Sequence, residues 1–391
     1  MEEQRQFDLV LFGATGFTGG LTADYLAANA PEGMRWALVG RNRAKLEAVA
    51  ARLADGPKPE IVVADAADRE AMRGVAESTR VVVTTVGPYI FYGEPLVAAC
   101  AAAGTDYVDL TGEPEFVDRM WIQHHAEAER NGARIVHCCG FDSIPHDLGA
   151  YFTVKQLPEG VPLTVNGYVR SNATFSGGTF HSAINAFGRA RQTMSAARQR
   201  RQAERRPSGR SIHSAPARVR RNRELGGWAV PLPTIDGPIV LRSAAALERY
   251  GPDFTYGHNL LAKHLTSVGA LAAGVGTGFA LAQLPPTRKL LLKAKSPGEG
   301  PSEAKREQSW FKVVFVGEGG GKRVVTQVGG GDPGYSETSK MLAESGLCLA
   351  FDDLPATAGQ VTTAAAMGDA LLERLQEAGI EFRVIETPEK G

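Results

Sequence analysis

Residues 7–26 read FDLVLFGATGFTGGLTADYL, and the chemistry along them runs strand, glycine turn, helix. An almost wholly apolar run, Phe7–Phe12, meets Gly13, Gly16 and Gly19 at the spacing G-x-x-G-x-x-G, and a helix-forming segment follows. That order is what a dinucleotide site needs. Gly13 permits the tight turn off the strand, Gly16 lets backbone amides approach a pyrophosphate, and Gly19 lets the helix lie close to the sheet. The helix N-terminus adds partial positive charge, while Thr15 and Thr18 offer hydroxyls. Gly13, Thr15, Gly16, Phe17, Thr18 and Gly19 are therefore the expected cofactor-binding residues of the turn.

Working outward, short apolar runs alternate with helical stretches, the pattern of a parallel sheet with crossover helices. Six strands are expected, at 7–12, 35–40, 60–64, 80–85, 106–110 and 134–138, each apolar enough to be buried on both faces. Gly104 stops the alanine-rich helix over 94–103. The fold class is thus α/β, an N-terminal Rossmann-type, doubly wound parallel sheet over 1–150, followed by a second α+β domain. That second domain is expected over 151–355, with strands at 163–169, 309–316 and 323–328 and a hairpin turn at 317–321. A C-terminal segment, 356–391, carries a helix capped by Thr363, stopped by Gly379 and returning to the body.

With 391 residues, 43 basic and 43 acidic side chains, the chain has the length of two domains and no net field to draw it to nucleic acid. Cys100, Cys138, Cys139 and Cys348 lack any spacing suited to zinc, so reduced thiols and no metal site are expected. Met1–Gln6 is polar and leads straight into a strand, which leaves no room for a signal peptide and points to the cytoplasm. Two segments stand out. Residues 189–223 hold twelve arginines against one acid, Glu204, and read either as a solvated helix end with a mobile loop or as a landing site for an acidic partner or anionic membrane. Leu265–Leu284 has no charge, and its stripe of Leu265, Val268, Leu271, Val275 and Phe279 reads first as a buried helix. Arg288, Lys289, Lys293 and Lys295 keep open a peripheral membrane contact through 265–295, on the inner face.

The second strand ends in ALVGRNRAKL, where Gly40 takes the place of the acid that would grip a ribose 2′-hydroxyl, and Arg41, Arg43 and Lys45 offer cations to a 2′-phosphate. NADP(H) is the expected cofactor. Asp65 stands where it meets the adenine amino group or caps the next helix. After the fourth strand, TTVGPYIFYGEP places Gly87 and Pro88 in the loop facing the nicotinamide, with Tyr89 and Tyr92 as hydroxyls. Thr111, Gly112 and Glu113 follow the fifth strand, Glu113 as a first-turn acid, and CCGFDSIPHD follows the sixth.

GATGFTG, GRNRAKL, VGPYIFYGEPLVAACAAAGTDYVDLTGE, CGFDSIPHDLG and TAAAMGDALLERL together resemble the saccharopine dehydrogenase-like oxidoreductases, and within them the trans-acting enoyl reductases. The likeness is dense over 7–152 and returns over 331–378. It implies an NADP-dependent reductase that works in trans with a polyketide synthase, saturating an enoyl group on a lipid chain held by an acyl carrier protein, with phthiocerol-type and phenolic glycolipids as the family's products. The resemblance carries no established catalytic residue, and His146 stands where relatives have a small residue.

Such a reduction needs hydride at the β-carbon, a group to hold the enolate oxygen and a proton for the α-carbon. The expected catalytic residues are Tyr89 for the oxygen and Asp142, Ser143 and His146 for the proton; Tyr89 as a packed aromatic and Asp142 as a helix cap are the plain alternatives. FSGGTFHSAI reads as a plain helix start, with the alternative that Gly177, Gly178 and Thr179 face the cofactor or a phosphopantetheine arm. A saccharopine-type amino-acid dehydrogenase and a non-catalytic NADP-binding lipid-surface protein are the competing functions.

Overall fold

Strand Phe7–Phe12 (β1) is buried at every position, and its neighbours Trp36–Gly40 (β2) and Thr79–Thr84 (β4) pair with it in parallel. The computed structural model describes residues 5–53, 56–173, 184–185, 187–205, 207–293 and 300–385. Glu60–Val63 (β3), Asp106–Asp109 (β5), Arg134–Val136 (β6) and a late strand, Gly359–Val361 (β14), complete a seven-stranded sheet in the order β14-β6-β5-β4-β1-β2-β3. All its pairings are parallel. The strand order reverses between β1 and β4, and open α/β sheets bind ligands at that switch, beyond the carboxyl ends of the strands. β3 departs from the expectation of burial on both faces: it is the sheet edge, and its end residues are exposed.

The second sheet has eight strands and is mixed, as an α+β unit requires. Leu163–Ser171 (β7) lies between Phe311–Gly319 (β12), antiparallel, and Asp253–Ala262 (β11), parallel. Sequence reasoning missed β11, together with Ser211–Ser214 (β8), Arg220–Asn222 (β9), Gly227–Pro231 (β10) and Glu381–Ile385 (β15), which pairs with Lys322–Gly330 (β13). The β12–β13 hairpin turns on Gly320 (φ 57) and Gly321 (φ 76), the pair of positive angles that a tight two-residue turn demands. Gly317 and Gly319, expected in the turn, are strand residues.

Two helices join the sheets. Ile144–Lys155 starts at the carboxyl edge of β6 and crosses onto the second sheet, where a Cβ on Gly149 would stand 2.3 Å from the Phe315 ring. Ser336–Phe351 is buried along most of its length, and a Cβ on Gly346 would stand 2.5 Å from Val83 of the first sheet. A boundary at 355 therefore misplaces this helix, which packs on β4, β5 and the helix Phe17–Asn29. The expected C-terminal helix is two, Thr363–Ala366 and Gly368–Glu377, and its N-cap is Thr362, which accepts the Ala365 N–H. Thr363 instead donates to Asp147, which also accepts from Ser243 and the Ala364 N–H, tying three elements together in the core.

Arg189, Arg200 and Arg210 of the basic stretch are engaged with the body, while most of the others are exposed. Ala190–Ala203 is a helix whose Arg200 is 4% exposed, with its guanidinium facing Asp118 at 3.3 Å and Glu204 at 2.9 Å. Arg242 also pairs with Asp118, Arg189 grips Glu115 with two bonds, and Arg210 donates to the carbonyls of Ala244, Ala245, Leu247 and Gly251. The uncharged segment forms the helix Leu265–Ala282, followed by Pro285–Lys293. The buried reading of its stripe fails: Leu265, Val275, Phe279, Leu281, Leu284 and Leu290 are exposed. Among the described residues no helix is long and apolar enough to cross a membrane.

Candidate functional site

The glycine turn closes tightly at the end of β1. Gly13 takes φ 98, and a Cβ there would lie 2.7 Å from the Thr85 hydroxyl. A Cβ on Gly19 would lie 2.2 Å from the Gly13 carbonyl oxygen, a collision with backbone that no rotamer relieves. Gly16 differs, because a Cβ there meets nothing nearer than 3.5 Å. The helix Phe17–Asn29 has no side-chain cap and no acid in its first turn, so its amino end stays available to an anion. Thr15 is exposed and Thr18 half-buried. Phe17 meets the Tyr335 ring edge-on at 4.9 Å beneath the Arg306 guanidinium, which fastens the turn to the later part of the chain.

Beyond β2, Asn42 caps the helix Arg43–Arg52 by accepting the Lys45 N–H, and no acid enters that first turn. Arg41, Arg43 and Lys45 are all exposed. Arg43 stands 3.8 Å from Glu47, whereas Arg41 and Lys45 have no ion-pair partner among the described residues. Asp65 does not cap the following helix. It accepts the Ala67 N–H in a turn, and Asp68 is the cap, accepting from Glu70 and Ala71.

The loop after β4 corrects one expectation. Gly87 and Pro88 lie at the crest and Tyr92 is exposed, but Tyr89 is buried, its hydroxyl donating to the Thr84 carbonyl and accepting the Leu110 N–H, both at 3.1 Å. Burial drives its pKa well above the ordinary tyrosine value. Tyr89 is a packed aromatic with its hydrogen bonds filled and is not placed to hold an enolate oxygen. Glu113 likewise serves its neighbour, accepting the N–H groups of Tyr89 and Ile90.

Strain gathers after β6. Cys138 (φ 66) and Ser143 (φ 137) are the non-glycine residues with positive φ among those described, and such outliers concentrate at functional sites. Ser143 is fully buried with an unpartnered hydroxyl. Asp142 fits beside Gly112, where a Cβ would come within 2.8 Å of its carboxylate. Surrounding protein and then the Asp236 carboxylate push the Asp142 pKa up to about 7, so its protonated and ionised forms coexist near neutrality. It does not cap the helix Ile144–Lys155, which has no side-chain cap. Two clusters escaped the sequence. Buried Asp109 accepts from Tyr107 and the N–H groups of Thr111 and Cys138, and lies 2.6 Å from His137 Nδ1. His146 faces Asp236, which also faces His258. Gly177, Gly178 and Thr179 lie outside the described residues.

Residues 9–136 match the family model of the saccharopine dehydrogenase NADP binding domain. The chain is 41% identical to a Mycobacterium tuberculosis protein provisionally named a trans-acting enoyl reductase, over 97% of each chain. It is 36% identical to a Mycobacterium ulcerans protein named trans-acting enoyl reductase, over 96% of this chain and 97% of that one. The chain belongs to the trans-acting enoyl reductase family. The chain superposes on a Saccharomyces cerevisiae saccharopine dehydrogenase with a TM-score of 0.56 at 12% identity, covering 97% of this chain and 99% of that one. At that identity the likeness is one of fold. As an oxidoreductase-family protein with this domain, the chain binds NADP(H). The residues fit: the space over Gly16, the uncapped helix and the unpaired Arg41 and Lys45 suit a pyrophosphate and a 2′-phosphate.

Proposed function

We propose that the protein is an NADPH-dependent enoyl reductase that acts in trans on an acyl chain held as a thioester by a carrier protein of a polyketide synthase, in lipid or glycolipid assembly. The family supports the reaction class. The observation that supports the proton donor is Asp142, set against Gly112 beside the strained Ser143 at the carboxyl end of β6, with its pKa raised to about 7. NADPH, when bound, supplies the hydride. Asp142 then gives the proton for the α-carbon, and the unpartnered Ser143 hydroxyl, in place of Tyr89, donates to the thioester oxygen. An amino-acid substrate with two carboxylates would need free cations here. The nearby arginines are already engaged, Arg189 by Glu115 and Arg200 and Arg242 by Asp118, and the edge itself supplies Asp109, Asp142 and Asp236. This charge pattern favours the uncharged acyl reading.

The exposed apolar helix Leu265–Ala282 and its basic continuation support peripheral contact with an anionic membrane, where lipid intermediates collect. Co-sedimentation with anionic vesicles, lost in Phe279→Glu, tests that placement. The catalytic reading is tested by NADPH oxidation with an enoyl thioester on a phosphopantetheinylated carrier. Turnover of saccharopine in its place would replace the reading with the amino-acid one.

A further inference from the structure

Three side chains from three different elements converge in the interior beside Asp142. His146 lies in the first turn of the helix Ile144–Lys155, Asp236 begins the helix Asp236–Ala246, and His258 lies on β11. Their side chains are 3%, 7% and 5% exposed. His146 Nε2 is 3.5 Å from Asp236 Oδ1, and His258 Nε2 is 3.4 Å from Asp236 Oδ2. The two imidazoles are edge to face, with ring centres 4.8 Å apart.

These separations are longer than the roughly 2.7–3.2 Å of a good N–H to oxygen hydrogen bond. The one ligand atom each residue offers lies within 4.8 Å of the other two, against the roughly 3.3–3.5 Å between neighbouring ligands of a tetrahedral ion with bonds of about 2.0–2.2 Å, so an ion would draw the three inward. The hydrogen bonding is incomplete as well: Asp236 Oδ1 and His146 Nδ1 are buried without partners among the described residues. Among the described residues no lysine or arginine pairs with Asp236, although a buried carboxylate is costly unless matched by positive charge. Around the cluster stand groups that suit an outer shell. The Tyr256 hydroxyl is 3.4 Å from His258 Nδ1, and the Phe141 ring closes over His146 at 5.5 Å.

We propose that His146, Asp236 and His258 form a binding site for one divalent transition metal of the zinc class. Two imidazoles and one carboxylate match this class of ion, and three protein ligands leave a fourth position open. The divalent charge offsets the buried Asp236 carboxylate. All three ligands sit on regular elements, which holds them close together before the ion arrives. The inference stands apart from the acyl reading, because metal uptake is read without turnover.

The full-length protein is stripped with chelator, incubated with Zn2+, freed of excess ion by gel filtration and assayed by elemental analysis. In parallel, Co2+ is added and the visible spectrum recorded, and the thermal midpoint is followed with and without Zn2+. The expected result is one retained zinc per chain, a raised midpoint and the visible bands of a four-coordinate cobalt site. His258→Gln and Asp236→Asn, each of similar volume, are expected to weaken uptake at least tenfold and abolish the bands. Should one variant fail to fold, the other variant and the wild-type cobalt spectrum decide. Failure of the wild type to retain metal or gain stability overturns the proposal. So does uptake that persists unchanged in a folded variant, which would mean adventitious surface binding.

Discussion

Replacing Arg41 by alanine separates recognition of NADPH from recognition of NADH. Arg41 is exposed and unpaired, so its loss costs the fold little, within about 0.5 kcal/mol for a surface substitution of this kind. A charge-assisted hydrogen bond to a 2′-phosphate is worth about 1.5–3 kcal/mol, and each 1.4 kcal/mol is tenfold in affinity. Arg41→Ala should therefore weaken NADPH by roughly 10- to 150-fold and leave NADH almost unchanged. Arg43, 3.8 Å from Glu47 and already partly neutralised, should contribute less. Salt should narrow the gap between the cofactors, since exposed charges are screened over about 10 Å at 0.1 M ionic strength. Fluorescence titration with each cofactor measures the Kd values. Equal weakening of both, or unchanged NADPH affinity, would refute the assignment of the 2′-phosphate to this helix.

Gly19→Ala places a Cβ 2.2 Å from the Gly13 oxygen; denaturant unfolding should show a loss of about 1–3 kcal/mol together with loss of NADPH binding, and wild-type values for both would sink the packing argument. Asp118→Ala leaves the buried Arg200 and the half-buried Arg242 without their shared carboxylate and should cost about 3–5 kcal/mol, whereas a change under about 1 kcal/mol would show that the pair adds nothing to the fold. Asp142→Asn should lower kcat about 10²- to 10⁴-fold while the NADPH Kd stays fixed, and unchanged kcat would remove Asp142 as the proton donor.

The glycine turn and the first six strands are legible because each carries a complete local signal. β1 through β6 are short apolar runs between turn or cap residues, and Gly13 and Gly19 occupy positions where the structure admits no side chain. β14 adds only three residues to the sheet, too few for any periodicity to register. β11 escaped because its sequence, DFTYGHNLLA, mixes polar residues into a strand whose His258 and Asn259 serve buried polar contacts. Tyr89 misled for a related reason: a tyrosine in a glycine-rich loop looks free, and only the approach of Thr84 and Leu110 shows that both sides of its hydroxyl are used. The apolar stripe of Leu265–Ala282 has the period of a buried helix, yet periodicity cannot say what covers the stripe, and here Leu265, Val275 and Phe279 are exposed. His146, Asp236 and His258 come from distant parts of the sequence, so no spacing rule unites them before the helix Ile144–Lys155 crosses from one sheet to the other.

Single-turnover reduction of an enoyl chain on its carrier, followed by mass spectrometry of the phosphopantetheine arm, tests the central claim most directly. A carrier-linked enoyl reductase adds two mass units to the acyl chain, requires NADPH to do so and loses most of the gain in Asp142→Asn. A carrier-bound chain left unchanged, with NADPH bound and the protein folded, would contradict it.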